Sequence, residues 1–342
     1  MHHLITGGAG FLGRYLSKRL IDLGHSVTSL DLVSPTEIIP GVKEVQGDVT
    51  DRHSVRENMR GVQAVHHLAA ANPILKSKSI FHRVNVEGSK IVLEEAVNAS
   101  VSYITYISSS SVFGGANEFP ITSQTPPCPI EPYGISKLAA ECLIRTLCNQ
   151  AKLPLLMIRA PTVMGQGRLG IFYILFKWIS EGRNIYLIGP GKNKIQMIHV
   201  KDLFDFYFSI LNKQTYGEFQ IGALDFKPLY ESISTLIHHA GTPSKIICIP
   251  VGISTSILKF LDSLGISPLS RYHYLSFSKD FYFDISPAIS KGLHPHYSNE
   301  DMLIECYNWF QLNKKQLRSN STLLLNNQPI QEKSLNILKW LS

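Results

Sequence analysis

Short apolar runs alternate with amphipathic stretches through the first half of the chain, the pattern of a parallel sheet covered by helices on both faces. Strands are predicted at Leu4-Ile5, Val27 to Leu30, Lys43 to Gln46, Ala64 to Ala71, Tyr103 to Ile107 and Leu155 to Ile158. Helices are predicted from Phe11 to about Leu23, after Asp48, from Phe81 to Ala96 and from Tyr133, where Pro132 suits the first turn. Beyond Gly167 the alternation loosens. An aromatic-rich helix is expected over Ile171 to Ile179, a run ending at a turn over Tyr186 to Pro190, and short strands at Gln196 to Val200 and Glu218 to Ile221. Ile253 to Leu264 reads as an amphipathic helix, and a last short one is expected at Leu335 to Leu341.

The first strand-to-helix junction reads Leu4-Ile5-Thr6-Gly7-Gly8-Ala9-Gly10-Phe11-Leu12-Gly13. Glycines three apart at 7, 10 and 13 let the backbone turn tightly, approach a pyrophosphate and pack the new helix on its strand. The helix that follows offers its unpaired N–H groups and positive dipole end to the phosphates. The next strand ends at Asp31, an acid roughly 20 residues further on, where a carboxylate meets the adenosine ribose hydroxyls. This is a dinucleotide site. A 2′-phosphate would be repelled by Asp31, so NAD is expected over NADP. The third strand runs into Gly47-Asp48-Val49, where Asp48 is positioned for an adenine amino group; a helix N-cap by Asp48 or Thr50 is equally open. The small residues of Leu68-Ala69-Ala70 let the cofactor lie across the strand ends. The expected fold is α/β: a Rossmann-type doubly wound parallel sheet over residues 1–162, a smaller, mixed substrate lobe over 163–315 that returns strands to it, and a tail over 316–342.

Composition narrows the class. With 44% hydrophobic and 17% charged residues in 342, the chain suits a globular enzyme. The net charge of +7 comes without basic blocks or aromatic interleaving, so nucleic acid is not an expected partner. The five cysteines form no C-x-x-C pair, and reduced thiols in a cytoplasmic protein are expected, without disulfides or zinc. His66 and His67, adjacent on a strand, point to opposite faces and do not make a metal site. No signal peptide or membrane span is expected, because the first strand begins almost at Met1 and no apolar run reaches about 18 residues. Ile253 to Leu264, the terminal helix around Trp340 and the basic balance raise a weak, peripheral membrane contact, against the favoured packing on their own domain.

Tyr133 and Lys137 lie four apart on a helix and so share a face. An ammonium beside a phenol favours the phenolate, bringing tyrosine down from about 10 toward the range of a general base. Ser109, in the Ser108 to Ser111 cluster at a strand end, is the hydroxyl expected to donate to a substrate oxygen beside Tyr133; some of the four serines are expected only to satisfy backbone groups.

The glycine motif, Asp31, Asp48, Ser109 and Tyr133-x-x-x-Lys137 resemble the extended short-chain dehydrogenase/reductase superfamily over about residues 1 to 312. Gly189-Pro190-Gly191-Lys192-Asn193, Met197 to Leu203 and Phe281 to Ile285 are similar to segments of nucleotide-sugar epimerases and the 3β-hydroxysteroid dehydrogenase group. The resemblance implies that Ser109 orients the substrate oxygen, Tyr133 carries the proton, and Lys137 holds the nicotinamide ribose. It also implies that Asn85 serves the cofactor end of the site. The expected cofactor set is Gly7, Gly10, Phe11, Leu12, Gly13, Asp31, Asp48, Val49, Leu68, Ala69, Ala70, Asn85, Tyr133 and Lys137, in an expected homodimer.

Departures from that pattern order the functions. Where sugar dehydratases carry an acid pair, this chain has Ser110 and Ser111, so dehydration is not expected. Ile195 and Phe277 stand where sugar epimerases carry arginines for a diphosphate, and Thr162 where asparagine is common; Lys194 and Lys279 are the neighbouring cations. The first expectation is therefore NAD-dependent interconversion of a secondary alcohol and a ketone on an apolar or sterol-like substrate, with Phe172, Tyr173, Phe176 and Tyr272 expected as its lining or, equally, as core. The alternative is a nucleotide-sugar 4-epimerase with tightly bound NAD.

Overall fold

A computed structural model describes residues 1–35, 37–71, 77–170, 172–263 and 279–319, with side chains 262, 318 and 319 left aside. The strands are β1 (His2–Thr6), β2 (Ser26–Asp31), β3 (Val42–Gln46), β4 (Ala64–His67), β5 (Tyr103–Ser109), β6 (Leu155–Ala160), β7 (Thr162–Met164), β8 (Ile185–Ile188), β9 (Met197–His199), β10 (Gly217–Gln220) and β11 (Ile246–Ile249). The helices of the first half are α1 (Phe11–Asp22), α2 (Arg52–Met59), α3 (Lys78–Phe81), α4 (Ser89–Asn98) and α5 (Pro132–Ala151). Those of the second are α6 (Phe172–Ser180), α7 (Val200–Lys213), α8 (Leu229–Ala240), α9 (Val251–Ser263), α10 (Ser286–Ile289) and α11 (Asn299–Ser319).

The main sheet has seven strands in the order β10-β6-β5-β4-β1-β2-β3, every neighbouring pair parallel. Its central strands are buried on both faces, which is why they read as unbroken apolar runs rather than as alternation. The order of winding reverses between β1 and β4, opening a crevice at their carboxyl ends. Although they lie beyond residue 162, α7 and β10 complete this layer. Tyr15 of α1 stacks on Phe204 of α7 at 5.2 Å, and Gly217 to Gln220 pair with Leu156 to Arg159 of β6.

The second lobe holds two short sheets, β8 with β11 and β7 with β9, around its own apolar cluster. Tyr173 and Phe176, expected to line a substrate pocket, are buried in that cluster against Phe310 and Tyr307. They are core residues, because α6 turns its aromatic face to α11 instead of the cleft. Phe172 packs beside them, stacked on Phe176. Tyr272, Phe277, the end of the Ile253 to Leu264 segment and the helix at Leu335 to Leu341 lie outside the described residues. Among the described residues no helix is long and apolar enough to cross a membrane.

Two local departures matter for the site. The helix expected from Phe81 opens into a π-helical stretch, His82–Gly88, between α3 and α4. The α2 N-cap is Asp51, which accepts from His53 N at 3.0 Å; Asp48 instead closes a turn onto Thr50 N at 2.9 Å.

Between neighbouring strands, His3 Nδ1 and His66 Nε2 share a hydrogen bond of 2.8 Å, and His66 Nδ1 faces Thr105 Oγ1 at 3.1 Å and the Tyr207 hydroxyl. His67, on the opposite face as the strand period requires, lies between Thr6 Oγ1 at 2.7 Å and Ser89 Oγ at 2.8 Å. Burial holds all three neutral, with His3 and His67 pushed down to about 3 and His66 well below the usual value. The unfolded chain therefore binds more protons than the folded one below about pH 6.5, and stability falls as pH falls. The urea midpoint should drop from pH 7 to pH 5, each histidine costing about 1.4 kcal/mol per pH unit below its unfolded pKa. A midpoint unchanged over that range would show that these rings are charged in the folded protein.

Candidate active site

The glycine turn is built by contact. Gly7 has φ +74°, and a Cβ there would lie 2.6 Å from Ala69 N at the end of β4. A Cβ on Gly13 would lie 2.3 Å from Gly7 O, so only glycine lets α1 close on its own turn. At Gly10, by contrast, the one near atom is Gly7 O at 3.2 Å. Gly10 thus begins α1 with its open side toward the crevice, and no side-chain cap covers the helix end. That is an anion-binding helix terminus, and Phe11 and Leu12 form its first turn.

Asp31, ending β2, accepts from Ala9 N at 3.0 Å and Val33 N at 3.2 Å, so it pins the glycine turn while keeping lone pairs for ribose hydroxyls. Burial pushes its carboxyl up and these N–H groups oppose that shift. Val49 packs on Gly88 of the π-helical stretch, where a Cβ would meet it at 2.8 Å. Beyond β4, Leu68 N donates to Thr6 O at 3.0 Å and Ala69 N to Thr6 Oγ1 at 3.4 Å, which sets the floor of the crevice; Ala70 follows.

The second wall comes from β5 and α5. Glu131 caps α5, accepting from Tyr133 N at 2.7 Å and Gly134 N at 2.5 Å, and Pro132 occupies the first turn. A Cβ on Gly134 would lie 2.5 Å from Ser111 O, so the helix start sits directly on the β5 exit. There Ser109 Oγ accepts from Ser111 N at 3.1 Å; it satisfies a backbone group yet keeps its own proton to donate. Ser110 and Ser111 are buried in the short helical turn that follows. Asn85, fully enclosed, accepts from Ala71 N at 2.8 Å and donates to Ser136 Oγ at 2.8 Å, while Ser136 Oγ donates to Tyr133 O at 2.7 Å. One asparagine therefore ties the β4 end to the helical turn that carries Tyr133. The Tyr133 ring meets Phe81 edge-on at 5.8 Å.

Lys137 is 2% exposed. Its Nζ donates to Ile107 O at 2.9 Å and lies 4.1 Å from the Tyr106 ring centroid. Burial lowers its pKa to about 7, offset only in part by Glu141 one turn on, whose carboxylate is held by Arg159. Three contributors gave little sequence signal. Glu131 is an acid before an N1 proline, Ser136 is a lone helix serine, and Arg168, half-buried with Cζ 5.8 Å over the Phe11 ring, follows a glycine turn in the second lobe.

A doubly wound sheet, a bare helix terminus beneath a glycine turn, and a Ser/Tyr/Lys wall define a Rossmann-type enzyme of the extended short-chain dehydrogenase/reductase class. Residues 3–222 match the NAD dependent epimerase/dehydratase family, and the chain belongs to it. It is 38% identical over 315 residues, 92% of this chain and 80% of the relative, to the uncharacterized protein y4nG of Sinorhizobium fredii. It is 27% identical over 259 residues, 71% of this chain and 77% of the relative, to a 2-alkyl-3-oxoalkanoate reductase of Stenotrophomonas maltophilia. The fold matches a UDP-glucose 4-epimerase of Thermotoga maritima, bound to UDP-glucose, with TM-score 0.77 and 21% identity over 92% of this chain and all of that one. The cofactor of the family is NAD, and the bare α1 terminus and the acid at the end of β2 fit it.

Two outcomes follow from this geometry. NADH should bind at least about tenfold more tightly than NADPH, the 2′-phosphate facing the Asp31 charge; equal titrations by fluorescence would remove Asp31 from that role. Because the folded pKa of Lys137 lies below its unfolded value, the unfolded chain binds the extra proton between about pH 7 and 10, so the stability of the cofactor-free protein rises with pH there. Lys137→Met should raise the melting temperature at pH 7, flatten that rise and abolish turnover; a lower melting temperature would show that the ammonium is a stabilising contact.

Proposed function

We propose that the protein interconverts a secondary alcohol and a ketone, with NAD as hydride partner, on a largely apolar substrate rather than on a nucleotide sugar. The observation that carries the reaction class is the α5 wall, in which Tyr133 and Lys137 share one face against the β5 exit that carries Ser109. When bound across the strand ends, NAD would accept a hydride from the carbinol carbon or return it. Ser109 donates to the substrate oxygen and holds it beside the Tyr133 hydroxyl. Tyr133 takes the carbinol proton as the hydride leaves, and gives it back in the reverse direction. Lys137, the buried ammonium one helical turn away, would hold the ribose hydroxyls of the bound cofactor.

The substrate reading rests on the diphosphate positions. Ile195 is fixed by a bridge to Phe281, and Gln196 beside it is spent on Ala223 O and Phe283 N, so neither offers the bidentate contact that holds a phosphate. A reductase of an alkyl oxo acid among the relatives supports the same choice. The second reading, a nucleotide-sugar 4-epimerase, is favoured by exposed Lys194 and Lys279, which flank Asn193 and Asp280 on one loop pair. Tight UDP binding would promote it.

Tyr133→Phe should lower turnover by about 10²–10⁴ while leaving cofactor affinity near wild type. The measurement is single-turnover oxidation of NADH with the best ketone from a screen, and undiminished turnover would remove Tyr133 from the mechanism.

A further inference from the structure

The face of α5 that carries Tyr133 and Lys137 continues, four residues further on, to Glu141, which is fully enclosed. Glu141 is held from the sheet. Arg159 of β6 donates from Nε to Glu141 Oε1 at 3.0 Å and from Nη2 to Oε2 at 2.6 Å, and the same Nη2 reaches Glu218 of β10 at 3.2 Å. Arg145, one turn beyond Glu141, meets Glu218 at 2.6 and 2.9 Å. Charges therefore alternate from the Lys137 ammonium inside to Arg145 near the surface. Arg159 also lies opposite Ser108 in the β5–β6 register, with Cζ 5.5 Å over the Phe113 ring, so one guanidinium braces α5 against the strand end that carries Ser109.

Anchoring the helix does not require the inner pair. Arg145 and Glu218 already join α5 to β10, and a neutral pair of similar volume generally folds as well as a buried ion pair. What Glu141 adds is a charge one turn from Lys137. The groups that face this interior from the other elements are uncharged: Tyr106 of β5, His67 of β4, stacked on Tyr106 at 5.7 Å and held neutral by burial, and Asn85 and Ser89 from the π-helical stretch and α4. On α5 itself Tyr133 is the phenol to be activated. Burial drives Lys137 toward the neutral amine, and the Glu141 carboxylate opposes it.

We propose that Glu141 is a positioning residue: clamped by Arg159, its carboxylate keeps Lys137 the ammonium that meets the cofactor ribose, and so sets the upper pH at which the protein holds NADH tightly. The inference deepens the dehydrogenase reading and rests on Lys137 as the ribose contact.

The test is fluorescence titration with NADH from about pH 5.5 to 9, in the wild type, Glu141→Gln and Lys137→Met. Wild-type affinity should fall as pH rises past the point where Lys137 loses its proton, and Lys137→Met should lack that fall. In Glu141→Gln the fall should begin at least about one pH unit lower, which weakens binding at pH 7 about fivefold. A merely structural role would weaken binding equally at every pH. Because removing one member of a buried pair is destabilising, the second variant combines Glu141→Gln with Arg159→Met, which leaves Glu218 on Arg145 and orphans no charge. Its onset should move the same way by a smaller amount. An onset unmoved in whichever variant folds overturns the proposal. Melting curves of the cofactor-free protein supply the second readout: the rise of stability with pH that Lys137→Met removes should start about one unit lower without Glu141. If that start moves while wild-type NADH affinity is independent of pH, the ribose reading of Lys137 has failed; if wild-type affinity falls with pH and neither onset moves, the role of Glu141 has failed.

Discussion

The reversal of winding between β1 and β4 is the constraint from which the site is hung. Two adjacent parallel strands whose onward connections leave in opposite directions cannot both be roofed by a helix at their carboxyl ends, and the uncovered space is the crevice. Its width is then set by backbone contact. Gly7 lies so close to Ala69 that any side chain would part β1 from β4, and Gly13 brings α1 down onto the same turn. The helix terminus is thereby fixed beside the strand ends with no side chain between it and the cleft.

The facing wall is held by hydrogen bonds, most of them to backbone. Glu131 orients the first turn of α5, Gly134 lets it rest on Ser111 O, and Asn85 with Ser136 ties it back to the residue after Ala70. The π-helical stretch explains how Asn85 reaches inward: the wider turn places Asn85 and Gly88 on the buried side, the latter against Val49. Lys137 is the strained member of this wall, an ammonium enclosed by a carbonyl and a ring where an apolar side chain would fold more stably. A local rule broken in this way marks a candidate functional position rather than a stabilising one.

The main sheet and its glycine turn were legible because parallel strands and helix starts follow from local pattern, and Tyr133 with Lys137 because four-residue spacing is a helical neighbour relation. What escaped depended on tertiary contact. Tyr173 and Phe176 look the same in sequence whether they face a cleft or α11, and the packing of α6 decided for the core. Asp48 and Thr50 both read as caps in the sequence, but Asp48 turns onto Thr50 N and leaves the cap to Asp51. Arg168 carries no spacing signal, since the ring it meets, Phe11, is far away in the chain and belongs to the other lobe.

Electrostatics around Tyr133 then differ from the simple expectation of one lysine lowering one tyrosine. Lys137 titrates near neutrality in the cofactor-free protein, so its charge weakens just where a phenolate would be needed. Ribose hydroxyls accepting from Lys137 would stabilise its ammonium, which couples cofactor binding to activation of the phenol.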